Sequence, residues 1–201
     1  MSKKFFISDL HFGHSNVLKY DNRPFASIED HDKELIKRWN DHVGINDEVY
    51  ILGDVSWRNP SVTTETVKQL NGRKHLIAGN HDYALRNHSE FKACFEEICD
   101  YKMLRLPGSQ FVVLCHFPIP CFDKHMYGQI HLYGHVHSSW EAELMENVKH
   151  YMQTVQGKPC NMYNVGAMMP YMDYTPRTLE EILEGAKDYT ESIVRKKNED
   201  V

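Results

Sequence analysis

The sequence predicts an α/β fold in which helices cover the outer faces of a sandwich with a mixed β-sheet. Short apolar runs of strand length recur along the chain, and most of them end in a polar, glycine-containing loop. These runs alternate with amphipathic segments of helical length in the first half and adjoin a hairpin signal in the second half. Because the 201 residues contain no repeat and no Pro/Gly/Ser-rich linker, we expect one domain spanning residues 1–201.

The first half of the chain contains three predicted strands and two predicted helices. The strands cover residues 4–8, 48–52 and 73–78, each an apolar run followed by polar residues. A helix is predicted from Ser27 to about residue 40, since Ser27 is a suitable N-cap and Asp30 lies at the capping-box position. A second helix is predicted over residues 61–70 because Asn71-Gly72 ends its pattern.

The second half is predicted to contain more strands than helices. Two strands, 97–106 and 110–115, flank a Pro107-Gly108-Ser109 turn, and further strands are predicted over 128–133 and 160–165. A last helix begins after Thr178, with Glu181 completing a capping box. Residues 140–160 are polar and weakly patterned, so their structure is left unassigned. We expect this insertion to carry specificity or the contacts of a homodimer.

Composition restricts the function and the compartment. The net charge of −5 argues against a protein that coats nucleic acid, although a small phosphorylated substrate is compatible with it. The five cysteines form no CxxC pair and their number is odd, which favours a reducing compartment over a disulfide framework. With no cleavable signal and no apolar run long enough for a membrane span, a cytoplasmic location without membrane contact is expected.

Metal-ligand side chains follow five of the predicted strands. The motifs are Asp9-x-His11, Gly53-Asp54, Asn80-His81-Asp82, His116 and Gly134-His135-x-His137. Sites in open α/β folds form at the carboxyl ends of strands, so these loops are expected to converge. Seven donors exceed the needs of one ion and suit two ions that share a carboxylate, and oxygen and imidazole ligands without thiolate favour Mn, Fe, Zn, Co or Ni over Mg or Ca.

Each of these motifs taken alone has a structural explanation. A single Asp-x-His is common by chance, Gly53-Asp54 alone is a turn, and His116 alone is typical of a satisfied core histidine. The Gly134-His135-x-His137 motif is stronger, because alternate residues of an extended segment point the same way and two buried imidazoles need partners. The ordered set of five, each directly after an apolar run, favours a metal centre.

The ordered motifs resemble the calcineurin-like metallophosphoesterase superfamily, whose pattern is D-x-H, G-D, G-N-H-D/E, H and G-H-x-H. Asn164-Val165-Gly166 is similar to a late asparagine-containing strand end of that superfamily. The opening segment, residues 8–16, and Asn22-Arg23-Pro24-Phe25 further resemble a branch of small, stand-alone bacterial and phage phosphoesterases. The resemblance implies a four-layer α/β/β/α sandwich.

The resemblance also implies a role for each motif residue. One metal ion would be bound by Asp9, His11 and His137, and the second by Asn80, His116 and His135. Asp54 would bridge the two ions, and a hydroxide held between them would attack phosphorus. The two catalytic residues would be His81, which protonates the leaving oxygen or stabilises charge on the phosphoryl group, and Asp82, which orients the His81 ring.

Other polar residues are weaker candidates. Five could bind substrate, with loop packing or capping as the alternative: His14, Asn16, Arg23, His125 and Tyr127. Trp57 and Arg58 could stack on a base or a ring, although such a pair is usually ordinary surface. His131 is predicted to be structural, whereas the histidines without motif context are predicted to be solvated, namely His31, His42, His75, His88 and His150.

The leading hypothesis is therefore a dinuclear metal-dependent phosphoesterase, a phosphoric ester hydrolase. Its substrate would be a phosphomonoester or phosphodiester of a small molecule, with nucleotides among the candidates, and the short chain without an obvious capping domain favours a diester. One alternative is a nuclease or nucleotide pyrophosphatase, against which the net acidity counts. The other alternative is a catalytically silent metal-binding scaffold, which would be expected to lose His81 or a bridging ligand, and this chain keeps both.

Overall fold

A computed structural model describes residues 2–199, with side chains described for residues 2–189, so residues 1, 200 and 201 of the predicted domain lie outside it. The strands are β1 Lys4–Ile7, β2 Glu48–Ile51, β3 Arg73–Ile77, β4 Glu97–Cys99, β5 Tyr101–Arg105, β6 Phe111–Cys115, β7 Ile130–Tyr133, β8 Asn161–Asn164 and β9 Arg177–Thr178. The α-helices are α1 Val17–Tyr20, α2 Ile28–His42, α3 Pro60–Lys68, α4 Ser89–Lys92, α5 Trp140–His150 and α6 Leu179–Glu199.

The strands form two mixed sheets, which confirms the predicted α/β class. The first sheet has the order β4-β3-β2-β1-β9, and the second has the order β5-β6-β7-β8. All neighbours are parallel except β9 beside β1 and β5 beside β6, which are antiparallel. The carboxyl ends of β1 and of β8 approach each other through a parallel bridge between Ser8 and Gly166.

The predicted strand over residues 97–106 is divided between the two sheets. Its first part, β4, pairs with β3, and its second part, β5, forms the predicted hairpin with β6. The chain changes sheet at Asp100, an exposed residue that forms an ion pair with Arg86. The prediction of one continuous strand was wrong because a pattern of apolar residues does not show which sheet a strand joins.

The two faces of the second sheet pack against different apolar clusters. On β6, Val112 and Leu114 belong to the main core together with residues of the first sheet, whereas Val113 faces a smaller cluster. That smaller cluster also contains Phe122 and Tyr133, and it is covered in part by the insertion. The second sheet is therefore buried on both faces, which explains why its central strands are almost continuously apolar.

The insertion that the sequence left unassigned is helical. Helix α5 continues directly into one π-helical segment, Tyr151–Val155, and Ser139 caps the start of α5 by accepting a hydrogen bond from the Glu141 amide. Ala142, Met145 and Met152 pack against the smaller cluster. Its helical pattern was hard to recognise because few of its side chains are buried and several apolar ones are exposed.

Helix starts agree closely with the capping signals. Ser27 accepts a hydrogen bond from the Asp30 amide at the start of α2, and Thr178 and Glu181 bond each other at the start of α6. Helix α3 begins one residue earlier than predicted, since Asn59 caps it and Pro60 occupies its first turn. The described part contains no helix that is both long and apolar enough to span a membrane.

Candidate metal centre

The ligand-bearing loops meet because short hydrogen-bond ladders continue beyond the strand ends. After β1, the Asp9 and His11 amides donate to the carbonyls of Gly53 and Asp54. After β6 and β7, the Gly134 amide donates to the His116 carbonyl, and the Val165 amide donates to the Tyr133 carbonyl. Together with the Ser8–Gly166 bridge, these contacts bring together the carboxyl ends of five strands, namely β1, β2, β6, β7 and β8.

The predicted carboxylate and imidazole ligands form two overlapping groups. One group contains Asp9, His11, Asp54 and His137, and the other contains Asp54, His116 and His135. Within each group the donor atoms all lie within 4.8 Å of one another. The Asp54 Oδ2 atom lies 3.7 Å from His11 Nε2 and 3.5 Å from His116 Nε2. These buried Asp/His groups could bind metal, and Asp54 is the residue that they share.

The predicted amide ligand lies beside the second group. Asn80 Oδ1 is 3.1 Å from His116 Nε2. In the first group, His11 Nε2 and His137 Nε2 are 3.1 Å apart, and His137 Nε2 is 3.6 Å from Asp9 Oδ1. The seven side chains that the sequence singled out are thus brought together.

The backbone of the ligand loops adopts an unusual conformation. Five of the seven predicted ligands have positive φ, although none of them is glycine: Asp9, His11, Asp54, His135 and His137. Such residues are uncommon in proteins, since the left-handed conformation brings Cβ close to the backbone, and they cluster at functional sites. The preceding glycines are required by space: a Cβ on Gly79 would lie 2.3 Å from Asp54 Oδ1, and one on Gly134 would lie 2.5 Å from Asp9 Oδ2.

Hydrogen bonds to the outer ring nitrogens orient two of the imidazoles. His116 Nδ1 donates to the Leu52 carbonyl at 2.7 Å, and His137 Nδ1 donates to the Asp21 carboxylate at 2.9 Å. Each bond occupies Nδ1 and leaves Nε2 facing the cluster, where it would offer a lone pair to a metal ion when the ring is neutral. Histidines that bind metals in proteins are held in the same way, so the donor set fits a metal ion.

Asp21 is a contributor that the sequence reasoning missed, and Arg23 has a different role from the predicted one. The Arg23 guanidinium is fully buried and donates to Asp21 and to the carbonyls of Asp9 and Leu10. Because its donors are used inside the protein, Arg23 holds Asp21 and the Asp9 loop, and the prediction that it contacts substrate was wrong. The Asn22-Arg23-Pro24-Phe25 motif was the available signal for this support.

The electrostatics of the cluster follow from its burial and its mixed charges. Burial opposes the ionisation of Asp54, but the hydrogen bond and charge of His116 reverse this effect and lower the Asp54 pKa. Burial likewise opposes protonation of His116, yet Asp54 and Asp9 raise its pKa to about 9. Burial and the neighbouring His137 lower the pKa of His11. The two carboxylates thus favour positive charge at His116, whereas burial and His137 disfavour it at His11.

His81 and Asp82 lie in different environments. The His81 side chain is 36% exposed, and its Nε2 is 3.9 Å from Asp54 Oδ2. The Asp82 carboxylate is completely buried and accepts hydrogen bonds from the amides of Asp54, Val55 and Gly79. The prediction that Asp82 orients the His81 ring is therefore corrected: Asp82 joins the loop after β2 to the loop after β3.

The other predicted substrate residues are dispersed. The His14 ring stacks on Trp57 next to the cluster, and Asn16 is exposed at the start of α1 without a side-chain capping bond. His125 and Tyr127 form a 3₁₀ turn at the amino end of β7, opposite the edge that carries His135. This placement contradicts the prediction that His125 and Tyr127 line the pocket.

Two histidines outside the motifs are buried. His131 is structural, as predicted: its Nδ1 donates to the Val113 carbonyl, and its Nε2 accepts from the Ile119 amide. His31 was predicted to be solvated, but it is fully buried between Arg23 and Asp32. Asp32 also accepts from the Gly13 amide, so this pair supports the loop that carries His11.

Comparison with known sequences relates the chain to proteins without an assigned activity. No protein-family model matches it. It is 36% identical over 141 residues to the uncharacterized protein MJ1445 of Methanocaldococcus jannaschii, an alignment that covers 69% of this chain and 72% of the relative. The chain belongs to the MJ1445 family. The Gene 66 protein of Mycobacterium phage L5 is a further relative, 32% identical with 79% of its length covered.

Comparison with solved structures supports the fold of this MJ1445-family protein. The crystal structure of AQ665 from Aquifex aeolicus, described as a protein of unknown function, superposes with a TM-score of 0.67 over 92% of this chain and 99% of that chain. The sequences are 23% identical, so this likeness concerns the fold alone. The nuclease MPE of Pseudomonas putida superposes with a TM-score of only 0.42, which is too low to support an argument about function.

Proposed function

We propose that this protein is a metal-dependent phosphoesterase of the calcineurin-like superfamily, with two divalent ions and a single four-layer α/β/β/α domain. The observation that carries this proposal is the position of Asp54, whose carboxylate belongs to both groups of potential ligands. A shared carboxylate is the feature that distinguishes a two-ion site from two separate one-ion sites. Ions about 3.5–4 Å apart can contact both the attacking and the leaving oxygen of a phosphoryl displacement.

The donor set supports transition-metal ions. Asp9, His11 and His137 would hold one ion, Asn80, His116 and His135 the other, and Asp54 both. Imidazole and carboxylate ligands without a thiolate favour Mn, Fe, Zn, Co or Ni. When bound, these ions would supply a water activated for attack near neutral pH and would neutralise charge on the phosphoryl group.

The protein side chains would provide orientation and a proton. The Asp21–Arg23 pair and the Leu52 carbonyl hold the imidazoles of His137 and His116, so the ligand geometry is set before the substrate arrives. His81 lies at the exposed side of the cluster close to Asp54, where it could donate a proton to the leaving oxygen.

The open side of the cluster favours a diester substrate. His81 and Trp57 are exposed next to the ligands, and neither is covered by a capping segment within the described residues. A phosphodiester carries a substituent on each side of phosphorus and needs such space. The substrate would be a small phosphorylated compound, with nucleotides among the candidates.

The direct test is hydrolysis of bis-p-nitrophenyl phosphate by purified protein with Mn²⁺. We expect turnover that EDTA abolishes and that added Mn²⁺ restores. Hydrolysis of p-nitrophenyl phosphate should be slower under the same conditions. If no ester is hydrolysed with Mn²⁺, Zn²⁺, Fe²⁺, Co²⁺ or Ni²⁺, the chain is a metal-binding scaffold, and the proposal is wrong.

A further inference from the structure

Trp57 is an exposed aromatic ring in direct contact with two histidines of the site. Its side chain packs face to face against His14, with ring centroids 4.3 Å apart and an interplanar angle of 10°. The His81 ring lies 4.6 Å away on centroids. Despite both contacts, Trp57 remains 53% exposed. Its ring is therefore held in place by the site and still offers apolar surface to solvent.

Phe117 occupies a corresponding position on the second ligand group. Its ring centroid lies 4.7 Å from that of His135 and 5.1 Å from that of His116, in edge-to-face arrangements. Phe117 is 41% exposed even though it follows a buried strand. Two residues further on, the Ile119 amide donates to buried His131 Nε2 at 3.1 Å, so the segment that follows the ring is anchored.

The two rings are associated with different halves of the cluster. Trp57 contacts His81 and, through His14, adjoins His11 of the first group. Phe117 contacts the two histidines of the second group. Asp54 belongs to both groups, so it connects the histidines that contact Trp57 with those that contact Phe117. A phosphate bound by ions held in the two groups would thus have an exposed aromatic ring near each group.

We propose that Trp57 and Phe117 are stacking platforms for the two nucleobases that flank the scissile phosphate. This inference rests on the proposed function and identifies the substrate class as a phosphodiester that joins two nucleosides. Stacking on aromatic side chains is independent of base identity, because every base has a π-face. The two rings would position the diester and would not take part in proton transfer.

The charge of the protein indicates a short substrate. Proteins that hold long strands neutralise many phosphates with lysine and arginine, whereas this chain has a net charge of −5. Arg58, the cation next to Trp57, is bound to Asp32 at 2.8 Å. Recognition by two stacked bases and one phosphate needs no long basic surface, so the expected substrate has the size of a dinucleotide.

The test compares two phosphodiesters that differ only in their bases. Thymidylyl-(3′→5′)-thymidine carries two bases, and the same phosphodiester between two abasic tetrahydrofuran sugars carries none. Rates with Mn²⁺ are measured for wild type, Trp57→Ala and Phe117→Ala, with Trp57→Phe as the conservative variant. Tyr151→Ala is the matched control, since Tyr151 is 52% exposed and belongs to the insertion.

We expect each alanine variant to lose about 10- to 100-fold in kcat/KM on the dinucleotide, the usual value of one stacked base. On the abasic diester their losses should be much smaller, because no base is stacked there, and Trp57→Phe should retain most activity on both substrates. Equal losses on both diesters, or none on the dinucleotide, would overturn the inference. If wild type hydrolyses either p-nitrophenyl ester but not the dinucleotide, the inference alone fails. If it hydrolyses no ester with any of the five metals, the proposed function fails.

Discussion

His81 differs from the other histidines of the site in exposure and position. Its ring is 36% exposed, whereas the side chains of His11 and His116 are almost completely buried. It also lies outside both groups of potential metal ligands. A residue that approaches the cluster from its open side and binds no ion suits proton donation to a leaving group.

His81→Ala is therefore expected to keep the metal content while slowing turnover. The rate on a diester with an alkyl leaving group should fall roughly 10²- to 10⁴-fold, the usual contribution of a general acid. On a p-nitrophenyl ester the loss should be smaller, because that leaving group departs without a proton. Steady-state kinetics and elemental analysis of the same preparation measure both effects. An unchanged rate on the alkyl ester would exclude this role.

The convergence of the potential ligands could be predicted from the sequence, but their supports could not. Asp54 and His116 follow apolar strands directly, and residues at the ends of parallel strands meet irrespective of their distance along the chain. Asp21 lies in a loop and reaches His137 across 116 positions of sequence, so no local pattern reveals the contact. Asp82 was misinterpreted because sequence proximity to His81 says nothing about side-chain direction.

At the scale of elements, Asp82 determines how two neighbouring strand ends are spaced. One of its oxygens accepts from the amides of both Asp54 and Gly79, and the other accepts from the Val55 amide. The loops after β2 and β3 are thus tied through one buried carboxylate. Since Asp54 belongs to both ligand groups, its position depends on this link.

Asp82→Asn tests this link. The amide has one oxygen, so at least one backbone N–H loses its acceptor, and the free energy of unfolding should fall by about 3 kcal/mol. Metal affinity should weaken at the same time, because the Asp54 loop is released. Urea unfolding in EDTA measures the stability. Asp100→Asn, a surface ion-pair variant, should change it by less than about 1 kcal/mol. Equal stability of Asp82→Asn and wild type would contradict the structural role.

At the scale of the whole molecule, buried His131 makes stability depend on pH. The pKa of His131 is lowered to about 4, mainly because the ring is buried. The unfolded chain, with a histidine pKa of about 6.5, binds the proton more tightly than the folded chain. The contribution of neutral His131 to stability is therefore complete above about pH 6.5, declines as the pH falls towards 4, and changes no further below that value.

The comparison of wild type with His131→Gln isolates this effect. Between pH 6.5 and 4 the wild type should lose about 3 kcal/mol of unfolding free energy that the variant does not lose, because glutamine does not titrate. Urea unfolding at a series of pH values in EDTA gives both curves. The other histidines are shared by both proteins and cancel in the difference. Parallel curves would show that His131 has the same pKa in the folded and unfolded states, which would contradict the prediction.

Much of the whole fold could be predicted because capping residues and apolar runs are local signals. The starts of α2 and α6 follow from Ser27 and Thr178, and the strands that precede the ligands follow from their apolar runs. The division of residues 97–106 between two sheets depends on pairing with distant strands. The helical insertion could not be assigned because none of the α5 side chains is fully buried and Trp140 and Leu144 are exposed.

The central claim is that two ions share the Asp54 carboxylate, and the metal content of Asp54→Asn tests it most directly. Both proteins are loaded with Mn²⁺, dialysed and analysed by inductively coupled plasma mass spectrometry. We expect about two ions per chain in wild type and fewer than one in Asp54→Asn, since the neutral amide has a single oxygen and cannot offer a charged oxygen to each group. Two ions retained by Asp54→Asn, or one ion at most in wild type, would contradict the shared-carboxylate centre.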